Sequence, residues 1–351
     1  MVNSERPGVY AAYEVSSAVS GAANGGVVGI AARAENGTAG ECGIVGTYAE
    51  ACTEYGADSR MAELVRLALK NGASSVRAVP AAVGQEPGTE AYGSAFETLC
   101  ALDDVKIIIC DSAAAAVHGA LADALAEAAE ERRYMIGVVE GHGTVAQLTT
   151  AAAAINCERM VMCAPGAVDI SGDDAVCGSA AAAVAGAVAS QSDPALPLNG
   201  AALFGLYGIG ASYSDSDITT LVRGGVTPLE SSGGAICVVR GITTRTSTSG
   251  AADSTWRELT TTLIVDDVIP SVRDALRSRF ARAKNTARTR GAIRTQVVIE
   301  LENKLAREII ESYDNVTVAV NSDDPTVCEV GFDFTVAHGL NQIRLSAHIT
   351  V

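Results

Sequence analysis

Nowhere in the sequence do apolar residues run on for anything near the ~18 that a bilayer-crossing helix needs. The first residues also lack the charged, apolar and small-residue order of a secretion signal. The chain therefore reads as a soluble cytosolic product with no membrane insertion. Histidine is scarce, at four scattered residues, and the nine cysteines form no C-x-x-C pair. Several cysteines sit in apolar runs such as Ile107-Ile108-Ile109-Cys110, so they read as buried reduced thiols rather than as metal ligands or a disulfide framework. No Gly-Lys-Ser/Thr closes the glycine-rich stretch Gly21 to Gly29, which excludes a phosphate loop there and leaves a flexible segment. A basic domain is missing too. Residues 1–255 carry 13 basic and 28 acidic side chains, residues 256–310 carry 11 and 7, and residues 311–351 carry 1 and 6, for a net charge of −16. A basic helical segment thus sits inside an acidic protein, and nucleic acid is not an expected partner.

What is present is enough for two or three domains: 351 residues, 48% of them hydrophobic. Val9 to Val19 reads as one extended strand with too little around it to bury both faces, so it must pair with a sheet elsewhere. From Met61 onward, helix and strand alternate. Helix Met61 to Asn71 precedes strand Val76 to Val83, Tyr92 to Leu102 precedes Val105 to Cys110, Ala114 to Arg132 precedes Tyr134 to Val139, and Thr144 to Ile155 precedes Arg159 to Ala164. An Ala-rich helix, Ala175 to Ala189, ends the series. Continuous apolar strands between helices predict a parallel α/β sheet covered on both faces.

Beyond a Gly-rich passage from Asn199 to Tyr213, the turn signal Ser231-Ser232-Gly233-Gly234 before Ala235 to Val239 predicts a hairpin. Thr260 to Val265 is β-rich, and Pro270 suits the first turn of a helix Ile269 to Arg282 with Val272, Leu276 and Phe280 on one face. A longer helix, Ile293 to Glu311, carries the stripe Val297, Leu301, Leu305 and Ile309. Strands Val316 to Val320, Thr326 to Val336 and Asn341 to Val351 complete an α+β module. The expected division is 1–50, an extended arm and entry strands; 51–198, the α/β domain; 199–255, the hairpin and its connection; and 256–351, the α+β module ending in a β arm.

Several runs together resemble the contractile tail sheath proteins of phages and of phage-derived particles such as tailocins. They are Arg6-Pro7-Gly8-Val9-Tyr10, Gly224-Gly225-Val226, Val238-Val239-Arg240-Gly241-Ile242-Thr243-Thr244-Arg245, Glu258-Leu259 with Ile264-Val265-Asp266-Asp267-Val268-Ile269, and the closing Ile343 to Val351. The resemblance spans nearly the whole chain, and its specific matches lie at the ends and between residues 218 and 280. It implies a central α/β domain of subtilisin-like topology, and a structural protein with no catalysis and no cofactor. It implies a subunit that polymerises helically around an inner tail tube, meets baseplate and tail terminator proteins, and contracts. It places assembly in the bacterial host cytoplasm and the product in a virion tail. Val9, Tyr10, Tyr13 and Val15 at one end, and Ile343, Leu345, Ala347 and Ile349 at the other, become strand arms reaching into neighbouring subunits. Arg273, Arg277, Arg279, Arg282, Lys284 and Arg288 become a tube-facing basic helix. No separate β-sandwich insertion is found, which implies a thin sheath.

The alternative from another class is an α/β enzyme that binds a nucleotide or small metabolite in the strand-end crevice near Asp111 and His142. Asp111, His142 and Ser179 follow the order of an Asp-His-Ser triad, but Ser179 has no nucleophile context. The turn Gly141-His142-Gly143-Thr144 also reads simply as a helix N-cap by Thr144.

Overall fold

Strand β1 (Val27–Ala34) sits third in a nine-stranded mixed sheet, although its small, Gly-containing sequence resembles a linker. Those small residues are what its position demands. A Cβ on Gly29 would stand 3.1 Å from both Leu99 and Val105, a tight approach, so the bare backbone there eases the close packing of the helix above. The computed structural model describes residues 25–169, 171–173, 175–342 and 344–346. The strand expected at Val9 to Val19 lies outside them, and the segment expected to be flexible gives way to β1 from Val27 on.

After β1 come β2 (Gly43–Val45), α1 (Tyr48–Tyr55), α2 (Arg60–Lys70), β3 (Ser75–Val83), α3 (Thr89–Cys100), β4 (Val105–Cys110), α4 (Ala115–Glu130), β5 (Ile136–Glu140), α5 (Val145–Ile155) and β6 (Met160–Ala164). The chain continues through β7 (Ala167–Val168), α6 (Ser179–Ala189), β8 (Ala202–Leu203), β9 (Gly208–Ile209), α7 (Asp215–Arg223), β10 (Val226–Ser232), β11 (Ala235–Val238), β12 (Ser247–Thr248) and β13 (Ala251–Ala252). The sheet order is β2-β3-β1-β4-β5-β6-β10-β11-β8. Its centre is parallel as expected, while β2, β11 and β8 join antiparallel at the two ends. Helices α1, α2 and α6 bury one face, and α3, α4, α5 and α7 the other. Helix α6 is buried along its whole length, because alanines let α2 approach until a Cβ on Gly186 would meet Ala68 O at 2.5 Å. The hairpin forms where Ser231 to Gly234 predicted it, with Ser232 opposite Ala235. Helix α7 was not expected; its Ser214/Asp217 capping box lies hidden in a Ser- and Gly-rich stretch.

The chain enters this body through a pinned root. Gly26 N–H donates to Ala189 O at 2.7 Å, and Gly26 O accepts from Ser74 N–H at 3.0 Å. A Cβ on Gly25 would fall 2.0 Å from Gly72 O, so only glycine passes there.

The C-terminal module differs from expectation in its first helix. Thr260 to Val265 is not a strand: α8 (Leu259–Phe280) is one 22-residue helix with Pro270 inside it. Apolar positions at helical spacing carry the segment. Leu259 and Leu263 face the α/β core, and Ile264, Val268 and Val272 face the module's own core. Thr260, Thr261 and Thr262 are buried between the two, and Thr262 Oγ1 donates to Glu158 O at 3.1 Å. Packing on both sides outweighs the strand preference of the threonine run and the proline. Helix α9 (Ala287–Ala306) begins and ends earlier than expected, and Ile310 and Glu311 open β14 (Ile310–Val320), which pairs with β15 (Cys328–Val336). Of the third strand expected, Ile343 and residues 347–351 lie outside the described residues, and 341–342 and 344–346 join no strand.

Candidate assembly surfaces

In the β14–β15 ribbon, β15 alternates strictly, while β14 is interrupted by register shifts at Ile310/Ser312 and Asp314/Thr317. Val330, Phe332, Phe334 and Val336 pack with Tyr313 and Val316 onto α8 and α9, and Glu329, Asp333 and Thr335 point to solvent. Among the described residues the two strands pair only with each other, so each keeps one edge of unpaired backbone N–H and C=O groups. The outer side is acidic: Asp314 lies opposite Asp333, and Asp323, Asp324 and Glu329 are exposed nearby. Residues 311–336 hold six carboxylates and no basic side chain.

Of the residues expected to form arms, Val9, Tyr10, Tyr13, Val15, Ile343, Ala347 and Ile349 lie outside the described residues. Leu345 is 91% exposed and belongs to no strand. Just before it the chain is tied to the body, where Asn199 Nδ2 donates to Asn341 Oδ1 at 2.7 Å.

The six cations of the basic segment have separate surroundings. Arg273 is half-buried and donates to Tyr134 Oη at 2.9 Å, its guanidinium 5.5 Å from the ring centroid. Arg279 donates to Gln296 Oε1. Arg277, Arg282, Lys284 and Arg288 are exposed at the end of α8, in the turn and at the start of α9. None of the six makes an ion pair among the described residues.

Tyr134 marks the joint between body and module. A second guanidinium, that of Arg159, lies 4.9 Å from its ring centroid and grips Asp266 of α8 with two bonds of 2.7 and 2.8 Å. Burial pushes the Asp266 carboxyl up, and Arg159 opposes that shift. Beside this joint opens a cleft of ≈ 600 Å³ between the α4–β5 turn and α8, where Lys106, Arg132, Arg133, Arg273 and Arg277 stand among Asp103, Glu131, Asp266 and Asp274.

In the strand-end crevice the two buried carboxylates have their donors, while the buried Ser179 hydroxyl has no hydrogen-bond partner among the described residues. Asp111, fully buried, accepts from Tyr92 Oη and from Arg33 N–H at 3.1 Å, with Arg60 at 3.5 Å. Glu140 was not singled out in the sequence, because its role depends on chain far away. It is buried at the end of β5 and accepts from Ala180 N–H at 2.7 Å and Ala167 N–H at 3.3 Å, and it contacts His142 Nε2 at 3.0 Å. The same His142 nitrogen lies 3.9 Å from Cys177 Sγ. The thiol and the carboxylate together push His142 up to about 10, so it carries a proton at neutral pH. Burial pushes the Cys177 thiol up, and the histidine opposes that shift. Asp111, His142 and Ser179 share no hydrogen bond, so the trio that follows triad order forms no relay. Thr144 caps α5 in a full capping box with Gln147.

Residues 85–244 match the family model for the phage tail sheath protein central domain, and residues 251–350 match that for the phage tail sheath C-terminal domain. The tail sheath protein of Bacillus phage SP01 is 29% identical over 259 residues, covering 70% of this chain and 43% of its own. This chain therefore spans less than half the length of that curated relative. Among solved structures, the contracted helical sheath of the anti-feeding prophage superposes with a TM-score of 0.72 at 15% identity, covering 99% of both chains. The baseplate structure of the same particle gives 0.75 at 15% identity, over 99% of this chain and 100% of that one. A sheath tail protein from Desulfitobacterium hafniense gives 0.70 at 14% identity, over 94% of this chain and 100% of its own. These superpositions speak to the fold.

Proposed function

Because the chain belongs to the phage tail sheath protein family, we propose that it is the repeating subunit of a contractile tail sheath, in a virion tail or a phage-like particle. On this reading, copies stack helically around an inner tail tube and repack to drive the tube through a cell envelope. The observation that carries the reading is the β14–β15 ribbon, apolar on one face and, among the described residues, open at both edges. An open edge takes up an extended segment through main-chain hydrogen bonds, with alternate side chains setting register. The residues around Val9 to Val15 and Ile343 to Ile349 are the donated strands. A strand given to the next copy and another received from the previous one make a heterologous contact, which extends into a helix instead of closing. Arg279, Arg282, Lys284 and Arg288 are the surface we assign to the inner tube, where electrostatic complementarity orients more than it tightens. Baseplate and tail terminator proteins are the partners at the two ends of the array.

Nothing in the crevice favours the enzyme alternative, since Asp111 and Glu140 already have their donors within the subunit. The test is negative-stain microscopy of the full chain beside a variant lacking residues 1–20. Hollow tubes in the first and none in the second are expected. Uniform small particles in both samples would overturn the sheath reading.

A further inference from the structure

A groove of ≈ 380 Å³ opens where the chain enters the body. It is lined by Gly25 and Gly26 at the root of β1, by the end of α6, by the first residues of β4 and β5, and by Leu263, Asp266 and Asp267 of α8, so body and module share it. Ile107, Ile136, Val188 and Leu263 give it apolar surface. Its two carboxylates are already engaged, Asp266 by Arg159 and Asp267 by Lys304, and its one cation, Lys106, is exposed. Gln191, also on the lining, donates from Nε2 to Leu196 O at 3.2 Å, while its Oε1 is buried with no hydrogen-bond partner among the described residues. An acceptor shut off from water in this way is stabilised by any N–H brought to it.

We propose that this groove seats residues 19–24 of the same chain, the segment immediately before Gly25. The structure describes the chain from Gly25 on, and there it already runs beside the groove: Gly26 N–H donates to Ala189 O at 2.7 Å, and both residues line it. The chemistry of the segment agrees. Residues 15–32 carry no charged side chain, and residues 19–24 read Val, Ser, Gly, Ala, Ala, Asn. Small neutral residues suit a lining whose carboxylates are already paired, and their backbone supplies N–H groups for Gln191 Oε1. Six extended residues reach up to about 20 Å. A segment joined directly to the lining meets it at an effective concentration on the order of millimolar, so contacts too weak to hold a free partner suffice. The seat ties the incoming chain to α8 as well as to β1, so body and module together set the direction in which residues 1–18 leave. It stands whether or not the chain polymerises.

The experiment follows amide hydrogen exchange at Gln191, Ser192 and residues 263–267, at a salt concentration where the chain does not polymerise. Four chains are compared: the full chain, one lacking residues 1–15, one lacking residues 1–23, and the full chain with Ala22→Asp and Ala23→Asp, which sets new carboxylates against Asp266 and Asp267. The first two should exchange alike at these amides. The other two should exchange at least about tenfold faster there, with the amides of α5 unchanged. The double substitution keeps the test decisive if the shortened chain folds poorly. Equal rates in all four chains, acceleration already in the chain lacking residues 1–15, or acceleration that extends to α5 in both altered chains overturns the inference. Protection that the full chain gains only on polymerising overturns it too, because a second copy then fills the groove.

Discussion

Removing Arg159 should separate the joint from the rest of the fold's stability. In the folded chain its guanidinium makes both bonds to Asp266, with the two side chains only 11% and 14% exposed, and lies over Tyr134. Arg159→Ala leaves the carboxylate in the same place with no partner. Breaking a fully buried pair by deleting one member costs roughly 3–5 kcal/mol. With the residual exposure here we expect about 2–4 kcal/mol. Replacing both members with apolar groups of similar size, Arg159→Met with Asp266→Leu, removes the stranded charge and should bring stability back to within about 1 kcal/mol of wild type. The assay is urea unfolding followed by circular dichroism at pH 7.5, at a salt concentration where the chain does not polymerise. A loss below about 1 kcal/mol in the single variant, or a double variant no more stable than the single, would refute the view that an uncompensated Asp266 carboxylate is what the arginine prevents.

The His142 contact sets a pH dependence. A folded value near 10, above the unfolded ~6.5, means that its contribution is fully present below about 6.5 and is lost as pH rises through about 10. Wild type should therefore lose thermal stability between pH 7 and 10 faster than His142→Gln, by at most about 1.4 kcal/mol per pH unit; parallel curves for the two would contradict the assignment. Pro270 lacks the N–H that an interior helical position donates, an omission worth about 3 kcal/mol, partly offset by the unfolded-state entropy that proline removes. Pro270→Ala should raise stability by about 2 kcal/mol in urea unfolding, and a destabilised variant would show that α8 needs the proline's shape.

Where the fold was legible, one local signal sufficed. The apolar runs of β3 to β6 and the helices between them read directly, as did the Thr144 cap and the Gly233-Gly234 turn. Misreadings arose where a distant partner decides. Val27 to Ala34 is an interior strand because β3 and β4 pair with it on both sides, and Leu259 to Val265 is helical because two cores share that helix. The assembly surfaces follow the same division. The basic run of α8 was visible as a run, but that Arg273 belongs to Tyr134 and Arg279 to Gln296 depends on folding. Glu140 and the Arg159–Asp266 pair, 107 positions apart, carry no sequence signal of their own.

The pinned glycines ahead of β1 govern how the subunit bears tension. Gly25 and Gly26 feed straight into a strand flanked on both sides by parallel neighbours, β3 and β4. A pull on the preceding chain acts along that strand and loads both hydrogen-bond ladders in shear, all at once. The same pull on an edge strand would peel its bonds one by one. A subunit dragged by this end is gripped at an interior strand of its sheet, where release requires two ladders to fail together.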